Sequence, residues 1–125
     1  MYKRQDLEAI TPDFPALSDL SSRYEVTGVH AFTLDAEEGT TCHVRNFAPL
    51  YDIDEEAATG TSNGALVYYL YQHGLVQPDK VYTVVQGEKM GRPSRISAQV
   101  TLRDGQPFVK VGGPAVTLVQ GEIEL

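Results

Sequence analysis

From Ala57 to Pro78 the chain reads "AATGTSNGALVYYLYQHGLVQP" and carries no Asp, Glu, Lys or Arg. Between Thr61 and His73, Ala65, Leu66, Val67, Tyr69, Leu70 and the rings of Tyr68 and Tyr71 point to every side of a helical wheel. A helix that is apolar all round has to be enclosed. Thr59, Thr61 and Ser62 mark its start, and Gly74 followed by Pro78 marks its end.

The rest of the pattern supplies the enclosure. Phe14, Leu17 and Leu20 recur at helical spacing behind Thr11, Pro12 and Asp13, which predicts a short amphipathic helix over residues 13 to 22. "YEVTGVHAFTL", the turn "AEEGT" and "TCHVRNFAPL" read as a hairpin. Asn46, Pro49 and Asp52 to Asp54 break regularity, so a loop is expected before the apolar helix. Beyond Gly74, "KVYTVVQG", "SRISAQVTL", "PFVKVGG" and "AVTLVQGEIEL" are strand candidates divided by Gly, Pro and Asp-Gly. The fold class expected is α+β, with an antiparallel β-sheet curled as a barrel around one central apolar helix.

Length and charge narrow the setting. The 125 residues fit one domain, 1–125. A net charge of −7, with no basic cluster beyond Lys3 and Arg4, opposes nucleic acid as a partner. "MYKRQDLEAI" has no apolar signal core, and the apolar run at 64 to 71 is too short to span a bilayer, so no membrane partner is expected. The single cysteine, Cys42, agrees with a reducing compartment, which makes a cytoplasmic location the expectation.

Candidate chemistry gathers at the start of the apolar helix. Its first backbone N–H groups lack intrahelical acceptors, its dipole favours negative charge, and "ATGTSNG" places small residues there, so an anion can approach closely. Glu55 and Glu56 stand just before it, placed for helix-start electrostatics or for acid/base work beside a bound anion. The competing reading is ordinary capping by Thr and Ser. Elsewhere, His30, His43 and His73 match no zinc spacing and read as structural or surface residues, so no metal is expected. Arg92 in "QGEKMGRPS" reads as part of a structured connection, because the spacing fails the P-loop pattern. Gly112 and Gly113 suggest a bulge or close packing, Cys42 a small core residue, and Tyr68, Tyr69 and Tyr71 core positions. Arg45 suits either a pair with Glu55 or Glu56 or the steering of an anionic substrate.

"VRNFAPLYDIDEEAATGTSNGALVYYLYQHGLV", "QGEKMGRPSRI" and "VGGPAVTLVQGEIEL", in that order, resemble the second half of the phenazine biosynthesis-like (PhzF-like) isomerases, relatives in fold of diaminopimelate epimerase. The family motif Glu-Asp-Pro-Ala-Thr-Gly-Ser-Ala falls on Glu55 to Ser62, with Glu56, Ala57 and Thr61 replacing Asp, Pro and Ser. The resemblance implies a two-domain enzyme whose halves each wrap a sheet around a helix. It also implies isomerisation or epimerisation of small amino or hydroxy acids by proton transfer without metal or organic cofactor. On that basis Glu56 is a catalytic candidate lining the cleft, and Thr59, Gly60, Thr61 and Ser62 are substrate-binding candidates. The longer Glu56 side chain departs from the inherited geometry.

The family's principal proton-transferring glutamate belongs to the first half, and "YKRQDLEAITPDFPALSDL" resembles the segment that follows it. The chain is therefore expected to equal a C-terminal half, to be silent alone, and to pair with a first half or form a homodimer around a small carboxylate-containing substrate. A non-catalytic small-ligand binding or interaction domain is the alternative.

Overall fold

The computed structural model describes residues 3–124. Helix α1 spans Arg4–Ala9 and α2 spans Phe14–Arg23. Asp13 caps α2, its carboxylate accepting from the Ala16 amide at 3.0 Å, and Pro15 occupies the first turn, where a missing N–H costs nothing. A single buried residue, Leu7, leaves no periodic signal for α1 in the sequence.

Six strands follow in one sheet: β1 Val29–Thr33, β2 Cys42–Ala48, β3 Ile53–Glu56, β4 Val81–Gln86, β5 Ser94–Arg103 and β6 Gln106–Gly112. The order is β1-β2-β4-β5-β6, with β3 paired to β2 off this path. The α+β sheet curled around one helix stands, with two corrections of detail. β2 and β4 pair in parallel, Cys42 opposite Val84, so the sheet is mixed. The expected loop before the helix contains β3, antiparallel to β2; Asn46 lies within β2, and the pairing with β3 shifts register between Asn46 and Ala48. Three acids in four residues hid that strand.

β2 is buried along its whole length because both faces are covered. Cys42 and Val44 point to the third helix, α3 (Gly60–Gln72), in a core with Leu66, Val67, Leu70, Val84, Ala98 and Val100. His43, Arg45 and Phe47, at alternating positions, point to the opposite face, where Arg45 meets α1. β5 and β6 close through Asp104 and Gly105, both at positive φ, as a two-residue hairpin turn requires.

α3 is the central helix, but it is not enclosed all round. It buries Asn63, Gly64, Leu66, Val67 and Leu70, whereas Ala65 and Tyr69 are exposed, Tyr69 at 45%. The sheet therefore forms a half-barrel, and Tyr69 is corrected from a core to a surface residue. Gly64 lets the helix lie on β6, since a Cβ there would meet Val111 Cγ2 at 3.0 Å. The last expected strand is also corrected: residues 113–124 form no regular element, and Val116, Leu118, Val119 and Ile123 stand in solvent.

Candidate functional site

Strand register builds the site. His30 on β1 pairs with Asn46 on β2, and Asn46 pairs with Glu56 on β3. Directly opposite residues share a sheet face, so the three side chains form one row facing the start of α3. Arg45 and Glu55, the neighbours of Asn46 and Glu56 along their strands, point to the other face. Arg45 donates from Nε and Nη2 to the two oxygens of Glu55, both at 2.8 Å, and from Nη1 to the Ile10 carbonyl at 2.8 Å. Of the two readings left open for Arg45, the structure takes the pair with Glu55, and the pair belongs to the scaffold.

The row and the helix mouth line a cleft of about 890 Å³ that contains Glu56, Thr59, Gly60, Thr61 and Ser62 together with His30, Asn46 and Tyr51. All five residues singled out from the sequence thus meet in one place. Thr59 is the N-cap residue, yet its side chain makes no capping bond, and its Oγ1 donates to Glu56 Oε2 instead. Among the described residues, the amides of Gly60, Thr61 and Ser62 have no acceptor, and Glu56 Oε1 has no partner. The geometry is not ordinary capping.

A buried residue that sequence reasoning missed holds this arrangement. Gln86, at the end of β4, is fully enclosed. Its Oε1 accepts from the Thr59 amide at 3.1 Å and from Asn63 Nδ2 at 2.8 Å, and its Nε2 donates to the Glu56 carbonyl at 2.6 Å and to Thr59 Oγ1 at 3.0 Å. Asn63 Nδ2 also donates to the Thr59 carbonyl at 2.7 Å, and Asn63 Oδ1 faces His30 Nε2 at 3.3 Å. Gly87 follows because the backbone passes against Ala57 there: a Cβ would lie 2.7 Å from the Ala57 carbonyl, and φ is +84°. The one signal in sequence was a polar Gln closing an apolar strand before Gly.

His30, expected as a structural or surface residue, lines the cleft, with Nδ1 facing Asn46 Oδ1 at 2.9 Å. Burial lowers its pKa from the ordinary 6.5, against the raising effect of its Asn46 and Asn63 contacts. His43 is buried on the other face between Glu88, 2.6 Å away, and Glu37, 2.9 Å away. His73 bonds the Tyr69 carbonyl. Among the described residues no cluster of three or more His, Cys, Asp or Glu could hold a metal ion, and no helix is long and apolar enough to cross a membrane. Cys42 is enclosed, its thiol pushed up to about 12 by burial, as suits a core residue. Arg92 is exposed and its amide closes the 87–92 turn on the Gly87 carbonyl at 3.0 Å. Gly112 is not in close packing; it borders a second opening beside the helix mouth.

Residues 1–121 match the sequence model of the family described as phenazine biosynthesis-like protein. The chain belongs to that family. It is 33% identical over 124 residues to an uncharacterized isomerase of Clostridium acetobutylicum, covering 95% of this chain and 41% of the relative. It is 34% identical over 120 residues to the trans-2,3-dihydro-3-hydroxyanthranilate isomerase of Pseudomonas chlororaphis, covering 95% and 41%. A phenazine biosynthesis protein of the PhzF family from Bacillus anthracis shares the fold with TM-score 0.78 at 19% identity, over 90% of this chain and 40% of that one. A predicted epimerase from Pseudomonas aeruginosa aligns with TM-score 0.62 at 24% identity, over 94% and 40%. The chain therefore spans about two fifths of the length of these family relatives.

Proposed function

We propose that this chain is the substrate-anion half of a cofactor-independent isomerase or epimerase that moves a proton on a small amino or hydroxy acid. The observation that carries the reading is the set of three unpaired amides, on Gly60, Thr61 and Ser62, opening into the same cleft as the unpartnered Glu56 Oε1. A substrate carboxylate at the helix start meets N–H donors and the positive end of the helix dipole, a combination worth roughly 0.3–1 kcal/mol per favourable charge before desolvation strengthens it. Glu56 Oε2 is fixed by Thr59, so Oε1 is the oxygen that takes or gives the proton beside the bound carboxylate. A partner half, either a separate first half or a second copy of this chain, supplies the opposing proton carrier. The name of the Pseudomonas chlororaphis relative supports a cyclic hydroxy-amino acid as one member of the substrate class.

The family relationship and the acidic group at the anion site favour this enzyme reading over a purely ligand-binding domain. The test is reconstitution: the chain is mixed with the first half of a family isomerase, and solvent deuterium entering a panel of 2-amino and 2-hydroxy acids is followed by mass spectrometry. Incorporation that needs both halves, and that falls at least about 100-fold with Glu56→Gln, is the expected result. Incorporation unaffected by Glu56→Gln removes Glu56 from the chemistry.

A further inference from the structure

The orientations of the Gln86 and Asn63 amides are set by backbone groups with only one possible role. The Thr59 N–H can only donate, so the atom of Gln86 that it meets is the oxygen, and the Gln86 nitrogen is turned toward Thr59 Oγ1 and the Glu56 carbonyl. A hydroxyl that accepts from Gln86 has its own hydrogen left for Glu56 Oε2. The Thr59 carbonyl can only accept, so Asn63 turns its nitrogen there and to Gln86 Oε1, leaving its oxygen for His30 Nε2. The result is one unbroken donor series running from His30 Nε2–H through Asn63, Gln86 and Thr59 to the Glu56 carboxylate. Each amide in it accepts at oxygen and donates at nitrogen, so a charge at one end polarises every link in the same sense.

From this geometry we infer that His30 is a positioning residue that acts on the Glu56 carboxylate through Asn63, Gln86 and Thr59. The inference rests on the reading of Glu56 as the proton carrier for its use in catalysis, and on the hydrogen-bond series alone for its existence. A proton on His30 strengthens the donor series and stabilises the Glu56 carboxylate. An ionised Glu56 in return favours the charged imidazole, whose two N–H groups satisfy the oxygens of both Asn63 and Asn46. The other titratable groups bordering the recesses around His30 are Asp6 from α1 and Tyr51 after β2, and neither joins the series; Asn46 on β2 and Asn63 on α3 are uncharged. For catalysis the consequence is an acid whose strength follows the state of a second group lining the same cleft.

The test needs no substrate, so its failure is distinct from failure of the isomerase reading. The Glu56 carboxyl carbon and the His30 ring carbons are followed by ¹³C NMR through an acid-to-neutral titration of the full chain. His30→Gln is expected to raise the Glu56 midpoint, and Glu56→Gln to lower the His30 midpoint by an equal amount, each by about half a pH unit or more. Thr59→Val keeps the shape of the N-cap side chain and breaks the last link; it is expected to shrink both shifts while His30 still titrates, and Thr59→Ser to restore them. Amide correlation spectra confirm that each variant is folded, and Thr59→Val and Thr59→Ser serve if His30→Gln is not. Equal Glu56 midpoints with and without His30, or coupling that survives Thr59→Val intact, would overturn the inference.

Discussion

Glu55 and Glu56 are neighbours in sequence with opposite fates. One-residue alternation along β3 sends Glu55 to the α1 face, where Arg45 grips it bidentately, and Glu56 to the cleft. Arg45 and Glu55 are 7% and 14% exposed, so removing one leaves the other charge buried. Arg45→Met is expected to destabilise the chain by about 3–5 kcal/mol in urea denaturation, and the double change Arg45→Met with Glu55→Leu to recover most of it. Neither is expected to alter carboxylate binding in the cleft. His30 carries a pH consequence of definite sign. Its pKa is depressed in the folded chain, so the unfolded chain binds the proton first as pH falls below 6.5, and folding stability declines from there down to the folded midpoint. Denaturation midpoints measured across that window are expected to fall less in His30→Gln than in the wild type.

At the scale of elements, the half-barrel depends on how α3 meets the sheet. Leu70 is fully buried among Val67, Val76, Val84 and Val100, and Leu70→Ala is expected to cost about 2–5 kcal/mol through lost contact and a residual cavity. Gly28 is a different constraint: a Cβ there would lie 2.1 Å from the Phe47 carbonyl, a backbone atom that cannot turn aside, so Gly28→Ala is expected to lower the thermal midpoint by forcing β1 off β2. These elements were largely legible in the sequence. The uncharged run from Ala57 marked α3, and β-branched and aromatic runs divided by Gly, Pro and Asp-Gly marked β1, β2, β4, β5 and β6, because those signals are local to each strand. β3 and α1 were not, since a strand of mostly acids and a helix with one buried residue owe their form to long-range partners. The site was legible where helix-start chemistry is local, at Glu56 and Thr59 to Ser62. Gln86, Asn63, Asn46 and His30 were hidden because they reach it through register and packing across the sheet.

The whole molecule leaves apolar groups exposed. Tyr69 on the open side of α3 and Val116, Leu118, Val119 and Ile123 on the tail face solvent in the single chain. Such groups mark surfaces for association. Sedimentation at rising concentration is expected to show a two-chain species, weakened when residues 114–125 are removed while the thermal midpoint of the remainder stays put; a monomer at every concentration would contradict this expectation. The anion site at the mouth of α3 is tested most directly by an amide correlation spectrum of the ¹⁵N-labelled chain titrated with lactate. Saturable shifts centred on the Gly60, Thr61 and Ser62 amides are predicted. Shifts confined to surface Lys and Arg residues, or none at those three amides, would contradict the account.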